Sequence, residues 1–353
     1  MKKIKTTLVY LIILILCVAS FAGYLIQKNS STASEVAYIN KTPEEKQKHV
    51  AELMSKAAAK PDPNPTVGIG RGKNYSSVTR KAIENAGGLK DIIKKGSVVL
   101  IKPNLCMYGV PNSPTTTDYR IVSEVAAEAY KYGASKVIIA EGSIMNYNVF
   151  SKEDAHDSKY DTIKNVQLYN FNGCKKKDCY KLKPKKSLTE VALFVPKIYM
   201  DADVVISIAK LKTHSVTAAT LSLKNAIGTT PSILYGTAGR AGLHDFGIDN
   251  SIIDLNRIRK PDFAIIDGIV GGEGDGPMMN TAVKSNIVLA GKDLVALDTV
   301  SLNFMGFKTD QVTHVKLASK EKLGISNLKN IKIVGADLKS IKMDFFSPFK
   351  IEY

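Results

Sequence analysis

Residues 98–104 read Val98-Val99-Leu100-Ile101-Lys102-Pro103-Asn104. A short, unbroken, largely β-branched run predicts a strand buried on both faces. The proline ends it by removing an amide donor. The strand Ser97–Lys102 therefore leaves a lysine and an asparagine at its carboxyl end. Downstream, Asp118–Tyr132 has helical apolar spacing and stops at Gly133, and Lys136–Glu141 is a second apolar run. Strand, helix and strand at these spacings predict a crossover unit and parallel pairing. The fold class expected is α/β, a mostly parallel mixed sheet with helices on both faces.

Working outward, Thr66–Gly70 reads as a strand and Val78–Gly87 as a helix ended by Gly87-Gly88. The second half gives strands at Val204–Ile208, Phe263–Asp267, Ile287–Ala290 and Ile331–Val334. It gives helices at Thr217–Ala226, Ile252–Arg259 and Leu294–Met305. Asn146–Lys197 is the least regular stretch and reads as an excursion or lid. Gly68, Gly70 and Gly72 read as a turn. No internal repeat or second linker divides residues 63–353, which are taken as one domain.

The first 28 residues read as a membrane anchor. Lys2, Lys3 and Lys5 precede an uncharged apolar run, Thr6–Ile26, long enough to span a bilayer as a helix. Positive charge on its N-terminal flank keeps that end cytoplasmic. The expectation is a single-pass protein of the cell membrane with its main domain extracytoplasmic. A cleaved signal peptide is the competing reading and exports the domain equally. Residues 29–62 read as a polar spacer and a stalk helix, opened by Thr42-Pro43-Glu44-Glu45 as a capping box and stopped by the prolines of residues 61–65.

Net charge is +16 over 353 residues, and Lys2, Lys3, Lys5 and Lys28 supply only four of those charges. Such a surplus favours anionic surroundings. The densest run, Lys175-Lys176-Lys177 with Lys181, Lys183, Lys185 and Lys186, lacks interleaved aromatics, which argues against a nucleic-acid site. A solvated basic loop is the plainer reading, and an anionic cell-envelope polymer is the partner it would admit. Beyond Cys17, the cysteines are Cys106, Cys174 and Cys179. Three thiolates do not hold an ordinary iron–sulfur cluster. Outside the cell, Cys174 and Cys179 could close a small-loop disulfide.

Chemistry is expected beyond the carboxyl ends of parallel strands. Lys102 and Asn104 follow one strand, and Thr116 stands just before a helix, where hydroxyls and free amides suit an anion. Glu141 ends another strand. Lys210, Lys212, Thr213 and His214 follow a third, with Lys224 and Asn225 further on. Crowded lysines depress one another's pKa, so Lys212 or His214 is a candidate acid or base. Asp267–Pro277 contains five glycines and the acids Asp267, Glu273 and Asp275. Gly274 and its neighbours could expose amides as an anion nest. Each cluster alone is also compatible with ordinary turns, caps and solvated loops.

Together, and in this order, the clusters resemble the domain of unknown function 362 family. The matching stretches run from residues 98–105 through Thr115-Thr116-Thr117-Asp118, residues 139–143, 210–214 and 222–228, His244, and residues 267–277 to 293–298. The resemblance implies an α/β domain with a shared polar cleft and supplies no reaction. Some relatives carry a ferredoxin cassette whose cysteines are missing here.

The function expected is an exported enzyme acting on a small anionic ligand. His214, Lys212 and Glu273 would be catalytic. Lys102, Asn104, Thr116, Lys210, Thr213, Lys224, Asn225 and Gly274 would bind substrate. Glu141, Asp267 and Glu273 would hold a divalent metal if one assists. The alternatives are a non-catalytic module binding anionic polymer and a redox protein.

Overall fold

The computed structural model describes residues 42–107, 109–144, 148–151, 158–236 and 240–347. The expected anchor and spacer, residues 1–41, lie outside the described residues. Among the described residues no helix is long and apolar enough to cross a membrane. Two compact units are distinguished, residues 1–52 and residues 53–353. Helix α1, Pro43–Ala57, starts as the capping box requires: Glu45 N donates to Thr42 Oγ1 at 3.2 Å and Thr42 N to Glu45 Oε2 at 2.6 Å.

The larger unit is built on one mixed sheet. Its strands are β1 (Thr66–Arg71), β2 (Val98–Lys102), β3 (Lys136–Glu141), β4 (Val166–Asn170), β7 (Val204–His214), β9 (Phe263–Asp275), β11 (Ile287–Gly291) and β12 (Lys332–Val334), in the order β12-β1-β11-β9-β7-β2-β3-β4. Along that path only β11 runs against its neighbours. β8 (Ala218–Ala219) pairs with the end of β7, β10 (Met279–Val283) with the end of β9, and β5 (Cys179–Leu182) with β6 (Leu193–Pro196) in a separate hairpin.

Val99, Leu100 and Ile101 are all fully buried, so both faces of the sheet are covered, as the unbroken apolar run predicts. Helices α2 (Tyr75–Asn85) and α3 (Tyr119–Lys131) pack on one face in a core with Val99, Ile101, Val137, Ile139, Ile206 and Ile208. Gly68 and Gly70 are strand residues rather than a turn. A Cβ on either would lie 2.3 Å or less from a carbonyl oxygen of α2, so glycine lets the helix backbone sit directly on β1. On the other face lies α5 (Leu294–Phe304), whose Leu297 approaches Val67 across Gly291. Helices α4 (Ile248–Ile258) and α6 (Thr313–Lys320) complete that layer's flank.

Three stretches depart from the sequence expectations. Thr217–Ala226 is not one helix. Ala218 and Leu221 take φ of +61° and +55°, which no right-handed helix accepts, and the chain resolves into β8, a single turn at Leu221–Lys224 and a 3-10 turn at Asn225–Thr229. The glycine-rich stretch after Asp267 is not a loop either. β9 runs on to Asp275, and residues 271–275 pair with β10. Residues 166–196, within the stretch expected to be irregular, hold β4 and the β5–β6 hairpin.

Candidate functional site

The order of strands reverses between β2 and β7. The chain goes outward from β2 to β3 and β4, then returns to β7 on the other side of β2 and continues to β9. Such a switch point opens a crevice at the carboxyl ends of the two strands. Lys102 ends β2, and Lys210, Lys212 and His214 end β7. Asn225 stitches the two together: its Nδ2 donates to Ser207 Oγ at 2.9 Å and Lys102 O at 3.3 Å, and its Oδ1 accepts from Lys102 Nζ and Asn104 Nδ2.

The lysines here divide by their partners. Lys102 Nζ is fully committed, to Glu141 Oε2 at 2.5 Å, Pro103 O at 2.9 Å and Asn225 Oδ1 at 3.0 Å. Burial pushes the Lys102 pKa down and the Glu141 pKa up, toward their neutral forms, and the pair's mutual attraction opposes both shifts. Lys210 Nζ is 2.7 Å from Asp267 Oδ2, which also accepts the amide of Asp118, the N-cap of α3. These two pairs are buried and neutralised, which makes them architecture.

Lys212 and Lys224 are different. Lys212, fully buried, donates to Thr115 O at 2.6 Å, Pro277 O at 2.9 Å and Cys106 Sγ at 3.3 Å, and no carboxylate bonds to it. Lys224 is half-buried and has no hydrogen bond or ion pair among the described residues. Burial, then the charge of Lys212, lowers its pKa to about 8, while burial pushes that of Lys212 down as well.

His214 Nδ1 accepts the amide of Val216 at 3.0 Å. Burial, followed by the charges of Lys224 and Lys212, forces its pKa far down. The ring is therefore neutral, and its proton sits on Nε2. Such a ring donates a hydrogen bond but does not take up a proton near neutral pH, which weighs against the base role expected of His214. His244 and His314 also act electrostatically on His214. His314 lies 3.3 Å from Asp249 Oδ1 with neither ring nitrogen hydrogen-bonded.

Other expected site residues are placed elsewhere or are already occupied. Glu273 Oε2 accepts the amide of Phe346 at 2.8 Å, so this carboxylate faces the C-terminal segment, and no hydrogen bond or ion pair joins it to Lys212 or His214. Gly274 has φ +82° and donates its amide to Phe346 O at 3.0 Å, while the amides around it serve the β9–β10 pairing. No open anion nest forms there. Thr213 is buried and donates to Gly274 O at 2.7 Å. Thr116 is buried in its own loop, its amide on Ser113 Oγ at 3.2 Å.

The three carboxylates expected to hold a metal are bonded to different protein groups. Glu141 Oε1 accepts Gly142 N while Oε2 holds Lys102, and Asp267 Oδ1 accepts Ile269 N while Oδ2 holds Lys210 and Asp118 N. With Glu273 turned to Phe346, their oxygens are spent separately. Among the described residues no group of three or more His, Cys, Asp or Glu side chains is arranged to hold a metal ion. Cys106, Cys174 and Cys179 are free thiols.

Several participants carried no sequence signal as site residues. Cys106 meets Lys212. Arg240 donates to Gly142 O and Thr230 O at 2.8 Å, and burial lowers its pKa to about 10. Asn172, just beyond β4, donates to Ser143 O at 3.2 Å and accepts the amide of Ser232 at 3.0 Å. Asp298 receives Ser222 N, Ser222 Oγ and Leu223 N, which anchors the turn that presents Lys224. The match of residues 293–298 to the family pattern was the one signal pointing to Asp298.

Among known proteins, the chain is 26% identical over 251 residues to the thylakoid-associated protein sll1697 of Synechocystis sp., covering 70% of this chain and 74% of that one. Among solved structures it is similar to the lactate racemase apoprotein of Thermoanaerobacterium thermosaccharolyticum, at 12% identity and a TM-score of 0.41. That similarity covers 67% of this chain and 55% of the racemase. A structural-genomics target from Thermotoga maritima is similar at 11% identity and a TM-score of 0.38, over 71% of this chain and 60% of that one. The model of the domain of unknown function 362 matches residues 99–303, from β2 through α5, and so takes in every lysine of the switch-point crevice; the chain belongs to the DUF362 family.

Proposed function

We propose that this chain is an enzyme acting on a small anionic molecule bound at the β2–β7 switch point. One observation carries the reading. Lys212 is buried and Lys224 half-buried, neither with a carboxylate partner, where Lys102 and Lys210 each have one. Unpaired ammonium groups cost folding energy that an anionic ligand would offset. In this reading Lys212, whose three N–H groups go to Thr115 O, Pro277 O and Cys106 Sγ, supplies positive charge beside the anion, and Lys224, with a pKa of about 8, binds it and exchanges a proton with it. His214 donates from Nε2 to a developing negative charge, and it does so without changing its own charge. The paired Lys102, Lys210, Asn104 and Asn225 keep the strand ends in place.

Membrane association is part of the same proposal. It is supported by the uncharged run at residues 6–26 and by the thylakoid-associated relative.

The test is brief acylation of the full chain with acetic anhydride at about pH 8, mapped by mass spectrometry, with inorganic phosphate, sulfate or acetate as the probe anion. Lys224, partly deprotonated there, should be among the fastest lysines, and at least one anion should protect it. Protection should vanish in Lys212→Met. If none of the three anions slows acylation of Lys224, the anion-site reading is wrong.

A further inference from the structure

Six large apolar side chains are exposed among the described residues: Val110, Val216, Ile233, Met278, Met279 and Phe346, at 38–77% of full exposure. Singly exposed apolar residues are ordinary, but a distribution confined to one end of a molecule is not. All six sit on segments tied to the carboxyl ends of the strands. Val110 is in the loop after β2, whose Thr115 O accepts from Lys212. Val216 follows β7, and Met278 and Met279 follow β9. The two turns are joined by Ser215 N to Gly276 O at 2.9 Å and by Lys212 Nζ to Pro277 O. Ile233 flanks Ser232, which bonds Asn172 beyond β4. Phe346 exchanges hydrogen bonds with Glu273 and Gly274 near the end of β9.

The same end holds the two ammonium groups that no carboxylate neutralises. A water-soluble anion would use those cations and leave the apolar rim unexplained. An amphiphile with an anionic head and an acyl tail uses both. We propose that the carboxyl end of the sheet docks on an anionic lipid bilayer, with a lipid headgroup at Lys224, the buried charge of Lys212 behind it and acyl chain against the rim. The inference rests on the anion-site reading and names the class of its ligand. The 21-residue uncharged run at residues 6–26 is chain outside the described residues, and its composition suits the same bilayer.

The test uses the full chain in phosphatidylcholine vesicles, with and without phosphatidylglycerol, doped with a lipid carrying a photoactivatable acyl chain. Cross-linked peptides are mapped by mass spectrometry. Links should appear in the peptides containing Val216 and Met278-Met279 as well as in residues 6–26. The rim links should depend on phosphatidylglycerol and be lost in Lys212→Met/Lys224→Met. Met279→Ser, at a side chain 77% exposed, leaves the packing untouched and should weaken the links at Val216. Links confined to residues 6–26, or rim links indifferent to phosphatidylglycerol, overturn the proposal. If they are so confined while a soluble anion still protects Lys224 from acylation, the small-anion reading stands and only the lipid assignment falls.

Discussion

Lys210, Lys212 and Lys224 at the strand ends, and Lys175, Lys176, Lys177 and Lys181 around the β5–β6 hairpin, are one side chain in opposite surroundings. Each hairpin ammonium is exposed. Lys176 and Lys181 lie 5.8 Å from the Phe194 ring, and Lys183 bridges to a still more exposed Glu190. Surface contacts of that kind are weak and screened by salt. At the strand ends the same ammonium must be paired, deprotonated or given a ligand. A run of lysines in the sequence is thus poor guidance to chemistry, whereas lysines dispersed along the chain and gathered by the sheet are good guidance.

The comparison breaks most sharply if the inner pairs can be cut without cost. Asp267→Asn leaves Lys210 buried without its counter-ion and turns one of the two oxygens that accept Lys210 Nζ, Asp118 N and Ile269 N into an amide donor. It should destabilise the fold by about 3–5 kcal/mol in urea unfolding. Lys210→Met/Asp267→Leu removes both charges and should recover much of that loss. A smaller cost is expected for Gly228→Ala. The added methyl would lie 2.2 Å from Glu141 Oε1 and 2.7 Å from Lys102 Nζ, so the pair must shift, at about 1–3 kcal/mol by the same measurement.

How far this was legible in the sequence depended on whether the signal was local. The strands β2, β3 and β11 and helices α3 and α5 announced themselves through apolar runs, a cap at Asp118 and the stop at Gly133. The placing of Lys102, Lys210 and Lys212 at strand ends followed directly. What was not legible is set by tertiary geometry. Which lysine would find a carboxylate depends on strand register, since Lys210 lies opposite Asp267 while Lys212 lies opposite Gly272 across a bulge. The counter-ions of Glu141 and Asp267, which the sequence offered as metal ligands, were hidden too, because Lys102 and Lys210 reach them only from neighbouring strands. Glycines misled for the same reason. In Gly272 a Cβ would lie 2.3 Å from Pro114 O, so what read as a flexible nest is close packing of a loop on a strand.

Lys224 sharpens the comparison through pH. Its folded pKa of about 8 lies below the ordinary lysine value of 10.5, so between those values the unfolded chain binds more protons than the folded one. Stability should therefore rise with pH across that window, as the burial cost of the charge is relieved. The melting temperature of the wild type should climb relative to Lys224→Met from about pH 8 to about pH 10, with the gap widest at the lower end. A constant difference across the window would mean that the amine titrates as an ordinary surface lysine.

The smallest effect is expected at the hairpin, and it matters because it is small. Lys177→Ala removes an exposed ammonium whose neighbourhood is water, although its backbone carbonyl accepts from Lys197 Nζ at 2.6 Å in any variant. Lys181→Ala gives up only a stacking contact on Phe194. Each should change unfolding free energy by no more than about 0.5 kcal/mol. Neither should alter anion protection of Lys224, because water and salt screen exposed charges. If the two substitutions together removed that protection, the basic hairpin would have to act on the same ligand as the strand ends, and the division between solvated and functional lysines would no longer hold.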